Sequence, residues 1–431
     1  MQYFFDFVYA LAAIVYAPVF FLKSRRAGEN PGLLFSERWG KYSQAKLARL
    51  AGKRVLWIHA VSVGETMVAR RFIESLREAR SPYHVVLTTV TPTGQKLARQ
   101  AEANDLTAIY VPFDFSWCVE SFLNFIKPEA LVLVETEIWP NLISLSARRH
   151  LPIFLINARL SQKSLNGYRR VAVLFKNVFK GLTHVFAQDQ ADAERFRQLG
   201  IAGSKIEAAG NIKFDAAAPE NKDDAFSRKN FGLSETDPVL IAGSTHPGEE
   251  QKLLEVFLKL REKHPTLRLI LAPRHVERAD AIAREAASTR LTLRRWGEIN
   301  SSLSWDVLLV DQIGVLKNIY AVGNFVFMGG SWIPHGGQNP IEPSIFNLPV
   351  LHGPHVFNFK QVYQILDEAG AAFCVQGTED CFEKLEVFLN HPRQAAEAGR
   401  LAGETVGKYR GASLRQARRV MEFLKERTSA A

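Results

Sequence analysis

The chain has 431 residues, 47% hydrophobic and 23% charged, an ordinary balance for a globular protein with a large core and a length that suggests two domains or more. Its formal net charge of +10 favours anionic partners such as an acidic membrane or a phosphorylated substrate; nucleic acid is set aside because no basic run carries interleaved aromatics. Three cysteines, Cys118, Cys374 and Cys381, lack C-x-x-C spacing, which argues against a disulfide framework and a cysteine zinc site.

Phe4 to Leu22 is apolar except for Asp6, and Lys23, Arg25 and Arg26 follow. A stretch of about 19 residues is near what one bilayer crossing needs. No basic segment precedes it and no small-residue cleavage site follows, which disfavours a cleaved signal peptide. The positive flank lies after the segment and puts the bulk of the chain in the cytoplasm. Residues 1–27 are therefore expected to be an N-terminal membrane anchor, with a helix packed on the body as the alternative that Asp6 and Pro18 keep open.

From Arg54 the pattern becomes strand, loop, helix, repeated. Strands are expected at 55–61, 85–90, 108–111, 130–135, 152–156 and 184–187, and a helix at 66–79. Strands alternating with helices of this kind imply parallel βαβ units. The block ends at Gly210 to Asp215, and residues 28–215 are read as one Rossmann-like domain. Residues 216–230 are polar, alanine-rich and without an apolar period, as a linker would be. A second alternating block follows, with strands expected at 239–244, 267–272, 306–310, 325–328 and 349–352. Residues 231–431 are read as a second Rossmann-like domain carrying the C-terminal helices. The fold class is α/β: two Rossmann-like domains with a cleft between them, and ligands expected outside the carboxyl ends of the strands.

In the second block, Phe325-Val326-Phe327 leads into Gly329-Gly330-Ser331, then Gly336-Gly337-Gln338-Asn339-Pro340, then a helix from about Ile341. Asn339 suits an N-cap and Pro340 a first helical position. A glycine loop that opens onto a helix N-terminus offers N–H groups to an anion, phosphate above all. Glu342, in the first turn, is placed to reach ribose hydroxyls. A capped glycine-rich turn is the plainer alternative.

Other strand ends carry residues with chemical potential. Glu65 follows His59-Ala60-Val61-Ser62-Val63-Gly64 and reads either as a first-turn residue complementing the helix dipole or as a general base. The dipole is expected to keep it ionised without a raised pKa. Glu135 and Glu137 end the most apolar strand and need solvation, partners or a role. Lys213 is either solvated or holds a phosphate or carboxylate. Arg274, after Pro273, suits an anion, and Asp311 to Leu316 begins another helix. The lone histidines His246, His275, His335, His352 and His355 are read as structural. No G-x-G-x-x-G follows the first strand, and no G-x-x-x-x-G-K-[ST] or G-x-S-x-G appears, against a dehydrogenase, a P-loop NTPase and an α/β-hydrolase.

The segments HAVSVGET (59–66), TTVTPTG (88–94), ETEIWPNLI (135–143), NARLS (157–161), GNIKFD (210–215), STHPGEE (244–250), APRHVER (272–278), MGGSWIPHGGQNPIEP (328–343) and GPHVFNFK (353–360) together resemble the bacterial 3-deoxy-D-manno-octulosonic acid (Kdo) transferases of lipopolysaccharide biosynthesis. The resemblance runs over nearly the whole chain. It implies a GT-B glycosyltransferase fold with a membrane-anchor helix and the donor CMP-Kdo bound by the C-terminal domain. It implies an acceptor lipid A precursor of the lipid IVA type, bound by the N-terminal domain at the bacterial inner membrane. The catalytic domains would be cytoplasmic, whether the protein is single-pass or peripheral. It implies no cofactor and no metal in the chemical step, and names no protein partner. Position by position, it makes Glu65 the catalytic base and Glu135 and Lys213 the pair that stabilises the transition state. Pro273, Arg274, Gly314, Val315, Leu316, Asn339, Pro340, Ile341 and Glu342 become the CMP contacts. Gln338 departs from the pattern, since many relatives are expected to carry histidine there. A nucleotide-sugar binding protein without catalysis, and a GT-B enzyme using a UDP-sugar, are the competing readings.

Overall fold

Runs of five or six consecutive apolar residues with both faces covered are what a parallel sheet requires, and the chain supplies them. In the computed structural model, which describes residues 4–11, 36–215, 224–287, 289, 291–299 and 304–430, they pair as expected. The first sheet has β1 (Val55–His59), β2 (His84–Thr89), β3 (Leu106–Tyr110), β4 (Ala130–Val134), β5 (Ile153–Ala158), β6 (His184–Ala187) and β7 (Ile206–Ala208), in the order β3-β2-β1-β4-β5-β6-β7. All neighbours are parallel. Alternation sorts Trp57, Val86, Leu131 and Leu155 onto one face and Leu56, Ile58, Val132 and Phe154 onto the other.

The second sheet has β8 (Val239–Thr245), β9 (Arg268–Pro273), β10 (Leu293–Arg295), β11 (Val307–Leu309), β12 (Phe325–Met328), β13 (Val350–His352) and β14 (Ala372–Cys374), in the order β10-β11-β9-β8-β12-β13-β14. It too is parallel throughout. The first sheet reverses its strand order at β1/β4 and the second at β8/β12, with β11 placed between β9 and the edge strand β10.

The chain divides into two compact units, Met1–Ala216 with Arg410–Ala431, and Ala217–Tyr409. This corrects the expected grouping of the C-terminal helices. The last helix, Ala412–Ala430, lies on the first unit, where Ala417, Val420, Met421 and Leu424 join the core of Leu56, Phe72 and Phe154. Its start is fixed there as well: Ser413 N donates to Asp215 Oδ2 (2.6 Å) and Ser75 Oγ lies 2.9 Å from Ser413 Oγ. An amphipathic helix shows which face is apolar, not which core that face covers.

The expected linker is also shorter than read. Residues 216–223 lie outside the described residues, but Asp224–Phe226 and Arg228–Phe231 form 3-10 turns packed on the second unit. Phe226 stacks on Trp296 at 5.8 Å, and the carbonyl of buried Phe231 accepts from Trp305 Nε1 at 2.8 Å.

Residues 4–11 are helical. Phe5 and Asp6 are buried, while Phe4, Phe7, Val8 and Leu11 are exposed. The part of the expected membrane span that is described is thus a helix packed on the first unit by the side that carries Phe5 and Asp6. Residues 12–22 lie outside the described residues, and no described helix is long and apolar enough to cross a membrane.

The packing of the last helix yields a test. Leu424 is 4% exposed, and Leu424→Ala should cost about 2–5 kcal/mol. Hydrogen exchange should rise in β1 to β6 and stay unchanged in β8 to β14; loss of protection confined to the second sheet would contradict the assignment of the helix to the first unit.

Candidate active site

In a doubly wound sheet the crevice opens where the strand order reverses, at the carboxyl ends. In the first unit that point lies between β1 and β4, and Glu65 and Glu135 come from the segments that follow these two strands. The helix after β1 spans Val63–Glu78 and starts earlier than the sequence suggested, because Ser62 caps it: the Ser62 side chain accepts from Glu65 N. Glu65 reaches back in turn. Its Oε2 accepts from Val61 N (2.6 Å) and its Oε1 from Ser62 Oγ (3.0 Å), close to the reciprocal pattern of a capping box. Contrary to expectation, its carboxyl is not left at the ordinary value. Burial pushes it up, the Val61 hydrogen bond pulls it down, and the charge of Glu135 raises it further. Desolvation outweighs the dipole.

Glu135 follows β4 with a positive φ of 59°, a conformation that costs a residue with a Cβ about 1–2 kcal/mol. The strand therefore ends at Val134, and Glu135 and Glu137 do not continue its alternation. Glu135 Oε1 lies 2.9 Å from Lys213 Nζ, with both side chains largely buried. Lys213 is delivered by the 3-10 turn Ile212–Asp215. That turn hangs on a buried network that the sequence motifs do not reveal. Asn157 Oδ1 accepts from Ile212 N (2.9 Å), Asn211 Oδ1 from Lys213 N (3.0 Å), and Asn211 Nδ2 donates to Gln188 Oε1 (3.1 Å). Gln416, on the last helix, accepts from Asn157 N (3.0 Å) and donates to Gly210 O (2.9 Å). Asn157 and Asn211 stand in the segments NARLS and GNIKFD; Gln416 carries no signal at all.

Glu137 joins the same group. Burial pushes its carboxyl up to about 7, helped by the charge of Glu65, while a 2.7 Å hydrogen bond from Trp139 Nε1 pulls it down. The first unit thus holds three interacting carboxyl groups and one lysine at its switch point. Among the described residues no cluster of three or more histidine, cysteine or acidic side chains is arranged to hold a metal ion.

The second unit contains a cavity of about 280 Å³ lined by Pro273, Arg274, Gly314, Leu316, Asn339 and Glu342 of the expected contacts, together with Ser244, Gln312, Lys317 and Gln338. Val315, Pro340 and Ile341 do not line it; Ile341 is fully buried. Asn339 acts much as expected, accepting from Ile341 N (3.1 Å), although Pro340 occupies the cap position itself. Its Nδ2 donates to Glu342 Oε1 (3.2 Å). Burial raises the Glu342 carboxyl; the Asn339 bond and the charges of Lys317 and Arg274 pull it back.

The glycine loop does something different from what was expected. Its N–H groups do converge on an anion, but the anion belongs to the chain. The fully buried Glu249 carboxylate accepts from Gly330 N (2.7 Å), Ser331 N (3.1 Å) and Trp332 N (3.0 Å), and from His246 N (2.9 Å). Gly329 is required by close approach, since a Cβ there would lie 2.3 Å from Ser244 O. Next to it, buried Glu250 takes a two-point pair from Arg278 (2.8 and 3.2 Å). His352 is structural as read, held by Gly353 O (2.7 Å) and Asp367 (3.0 Å).

With this geometry in place, likeness to known proteins can be weighed. The family model described as 3-deoxy-D-manno-octulosonic-acid transferase (kdotransferase) matches residues 34–216. The 3-deoxy-D-manno-octulosonic acid transferase of Haemophilus influenzae is 32% identical over 396 residues, 90% of this chain and 90% of that one. The protein of the same name from Bordetella pertussis is 31% identical over 422 residues, 95% and 97% of the two chains. Among solved structures, UDP-GlcNAc 2-epimerase from Neisseria meningitidis bound to UDP-GlcNAc has a TM-score of 0.57 at 14% identity, covering 84% of this chain and 100% of that one; this is a likeness of fold, the two parallel Rossmann-like sheets of GT-B proteins. The near-full-length identity to the two transferases goes further than fold: the chain is a glycosyltransferase that belongs to the 3-deoxy-D-manno-octulosonic acid transferase family.

Proposed function

We propose that this transferase moves Kdo from CMP-Kdo to a hydroxyl group of a lipid A precursor, inverting the anomeric centre. The observation that carries the reading is the arrangement of Glu65 beside the Glu135–Lys213 pair, with 2.9 Å between Glu135 and Lys213. An acceptor hydroxyl needs a base, and a carboxylate whose pKa is lifted toward neutrality is a stronger one. Glu65 takes the hydroxyl proton as the acceptor oxygen bonds to the anomeric carbon. The bond from that carbon to the phosphate oxygen breaks, and CMP leaves with the electron pair. Positive charge on the anomeric carbon is met by Glu135, which Lys213 holds in place. Arg274 and Lys317, on the wall of the second unit's cavity, supply positive charge for the phosphate of CMP. Glu342 and Asn339 supply hydrogen bonds for the nucleoside. No metal or cofactor is required by this scheme.

The acceptor is a lipid, so we place the enzyme at the cytoplasmic face of the bacterial inner membrane. Support comes from the outer side of residues 4–11, where Phe4, Phe7, Val8 and Leu11 are exposed, and from exposed Trp39 and Trp117, whose rings stack at 6.5 Å. Peripheral attachment through this face suits an amphipathic helix at a lipid interface.

Glu65→Gln should keep the fold and lower Kdo transfer about 10²–10⁴-fold, with CMP affinity close to normal. Mass spectrometry of the product formed from CMP-Kdo and a lipid A precursor reads this out; transfer near the wild-type rate by folded protein would place the base elsewhere.

The pH dependence follows from the raised carboxyls. Glu65 must be ionised to act, and its pKa lies above the ordinary carboxylate value. The rate should therefore climb with pH on the acid side and level off once Glu65 is ionised. Glu137, pushed up to about 7, is largely protonated where Glu65 ionises, so Glu137→Gln should leave the climb in place. A climb that moves in Glu137→Gln would contradict this order of ionisation.

Arg274→Ala and Glu342→Ala should each weaken CMP binding by about 1.5–3 kcal/mol, the worth of a charge-assisted hydrogen bond. Calorimetry with CMP and UDP separates the donor readings: wild-type protein should prefer CMP, and unchanged CMP affinity in both variants would move the nucleotide out of the cavity.

A further inference from the structure

The helix of residues 4–11 docks by a mixed side. Phe5 is buried against Phe175 (5.9 Å) and the Tyr9 ring stands edge-on to Phe115 (6.2 Å), as an apolar stripe would be, yet Asp6 is buried beside them while Phe7, Val8 and Leu11 face outward. Asp6 Oδ1 accepts from Ser116 N (2.8 Å) and Asn141 Nδ2 (2.9 Å), and its Oδ2 accepts from Ser116 Oγ (2.7 Å). Three residues on, Tyr9 OH donates to Asp114 Oδ2 (2.9 Å). Asp114 in turn accepts from Asn141 N (3.1 Å) and Leu142 N (2.7 Å), the opening turn of the Pro140–Arg148 helix.

Both carboxylates meet at Asn141. It is gripped through its side chain by Asp6 and through its backbone by Asp114, which Tyr9 holds from the other side. The segment immediately before it is Glu135 to Trp139. That segment is tied at its start to β4 and at its end to Asn141. Within it, Trp139 Nε1 holds Glu137 (2.7 Å), and the Trp139 ring stands edge-on to His59 at 5.4 Å. Placing two buried carboxylates in one latch is costly unless every oxygen is satisfied. The apolar contacts of Phe5 and the Tyr9 ring dock the helix, but they do not fix Asn141 at both backbone and side chain.

We infer that Asp6 and Tyr9 are positioning residues for the acid-bearing loop 135–139, acting through Asp114 and Asn141, so that the N-terminal helix is part of the support of the transfer site. The inference rests on the proposed role of Glu135 in that loop. A loop end released by a fraction of an ångström misplaces Glu135 and Glu137 relative to Glu65, and such misplacement costs up to about 10²-fold in rate.

The test uses the full chain in membranes or detergent, with active protein counted by CMP binding. Asp6→Ala should lower kcat about tenfold or more, leave the CMP Kd unchanged, and move the acid side of the pH–rate profile toward the ordinary carboxylate range, because Glu135, carried away with the loosened loop, no longer raises Glu65. Asp6→Asn should recover most of the rate, since an amide can still accept from Ser116 N and Asn141 and donate to Ser116 Oγ. Tyr9→Phe, which removes one hydroxyl and carries little risk to folding, should shift kcat and pH profile in the same direction by less, and decides the matter if Asp6→Ala does not fold. Wild-type kcat and pH profile in folded Asp6→Ala or Tyr9→Phe would overturn the inference, as would an Asp6→Asn variant no better than Asp6→Ala. Glu135→Gln separates the two levels: if it transfers Kdo normally, the reading of the loop fails; if it is impaired while the Asp6 and Tyr9 variants are not, only the positioning role fails.

Discussion

The ion pair between Lys213 Nζ and Glu135 Oε1, at 2.9 Å, is where four separate stretches of the first unit meet. Glu135 arrives from the end of β4 in a left-handed backbone conformation. Lys213 arrives from a 3-10 turn held by Asn157 at the end of β5, by Asn211, and by Gln416 from the last helix. A largely buried pair of opposite charges is tolerable only when geometry and surrounding hydrogen bonds are good. The amides Asn157, Gln188, Asn211 and Gln416 provide that surround without adding net charge. The position of the lysine, and with it the aim of the Glu135 carboxylate, depends on all of them.

The buried acids of the chain fall into two kinds. Glu249 and Glu250 have their oxygens met by backbone N–H groups, a threonine hydroxyl and an arginine. They brace the glycine loop, and such full satisfaction marks a structural role. Glu65 and Glu137 are held by fewer donors than burial demands, and their pKa values are raised. A carboxyl poised between its two protonation states can exchange a proton, and a group of this kind marks a site of chemistry. A raised carboxyl is not enough by itself, since Asp114 is pushed up to about 7 as well while it ties Tyr9 to Asn141 and Leu142.

This division also explains what could be read from the sequence. Strands β1 to β6, β8, β9 and β11 to β13 were legible because each is a continuous apolar run buried on both faces. The edge strands β7, β10 and β14 were not; each has three residues, partly exposed, and an edge needs no such run. The glycine loop announced that its N–H groups would surround an anion. It could not announce that the anion is Glu249, about 80 positions away, because only the fold brings the two together. Glu65, Glu135 and Lys213 could be picked out one at a time from strand ends and motif likeness, whereas their proximity needed the sheet order. Asp6 read as a blemish in a hydrophobic stretch, since its partners Ser116 and Asn141 lie more than a hundred positions downstream.

Gln416 has one more consequence, for the order in which the molecule is made. The first unit holds the residues assigned to proton transfer, and nearly all of its chain leaves the ribosome early. Its network at Asn157 and Gly210 nevertheless waits for a side chain 206 positions beyond Gly210. The whole of the second unit is translated in between. A nascent or clipped chain ending before that helix could form β1 to β7, but it would lack the amide that ties Asn157 to Gly210 beneath Lys213. Half-built copies, which would already carry the exposed apolar side chains of residues 4–11, therefore lack a support of the lysine until the last helix exists.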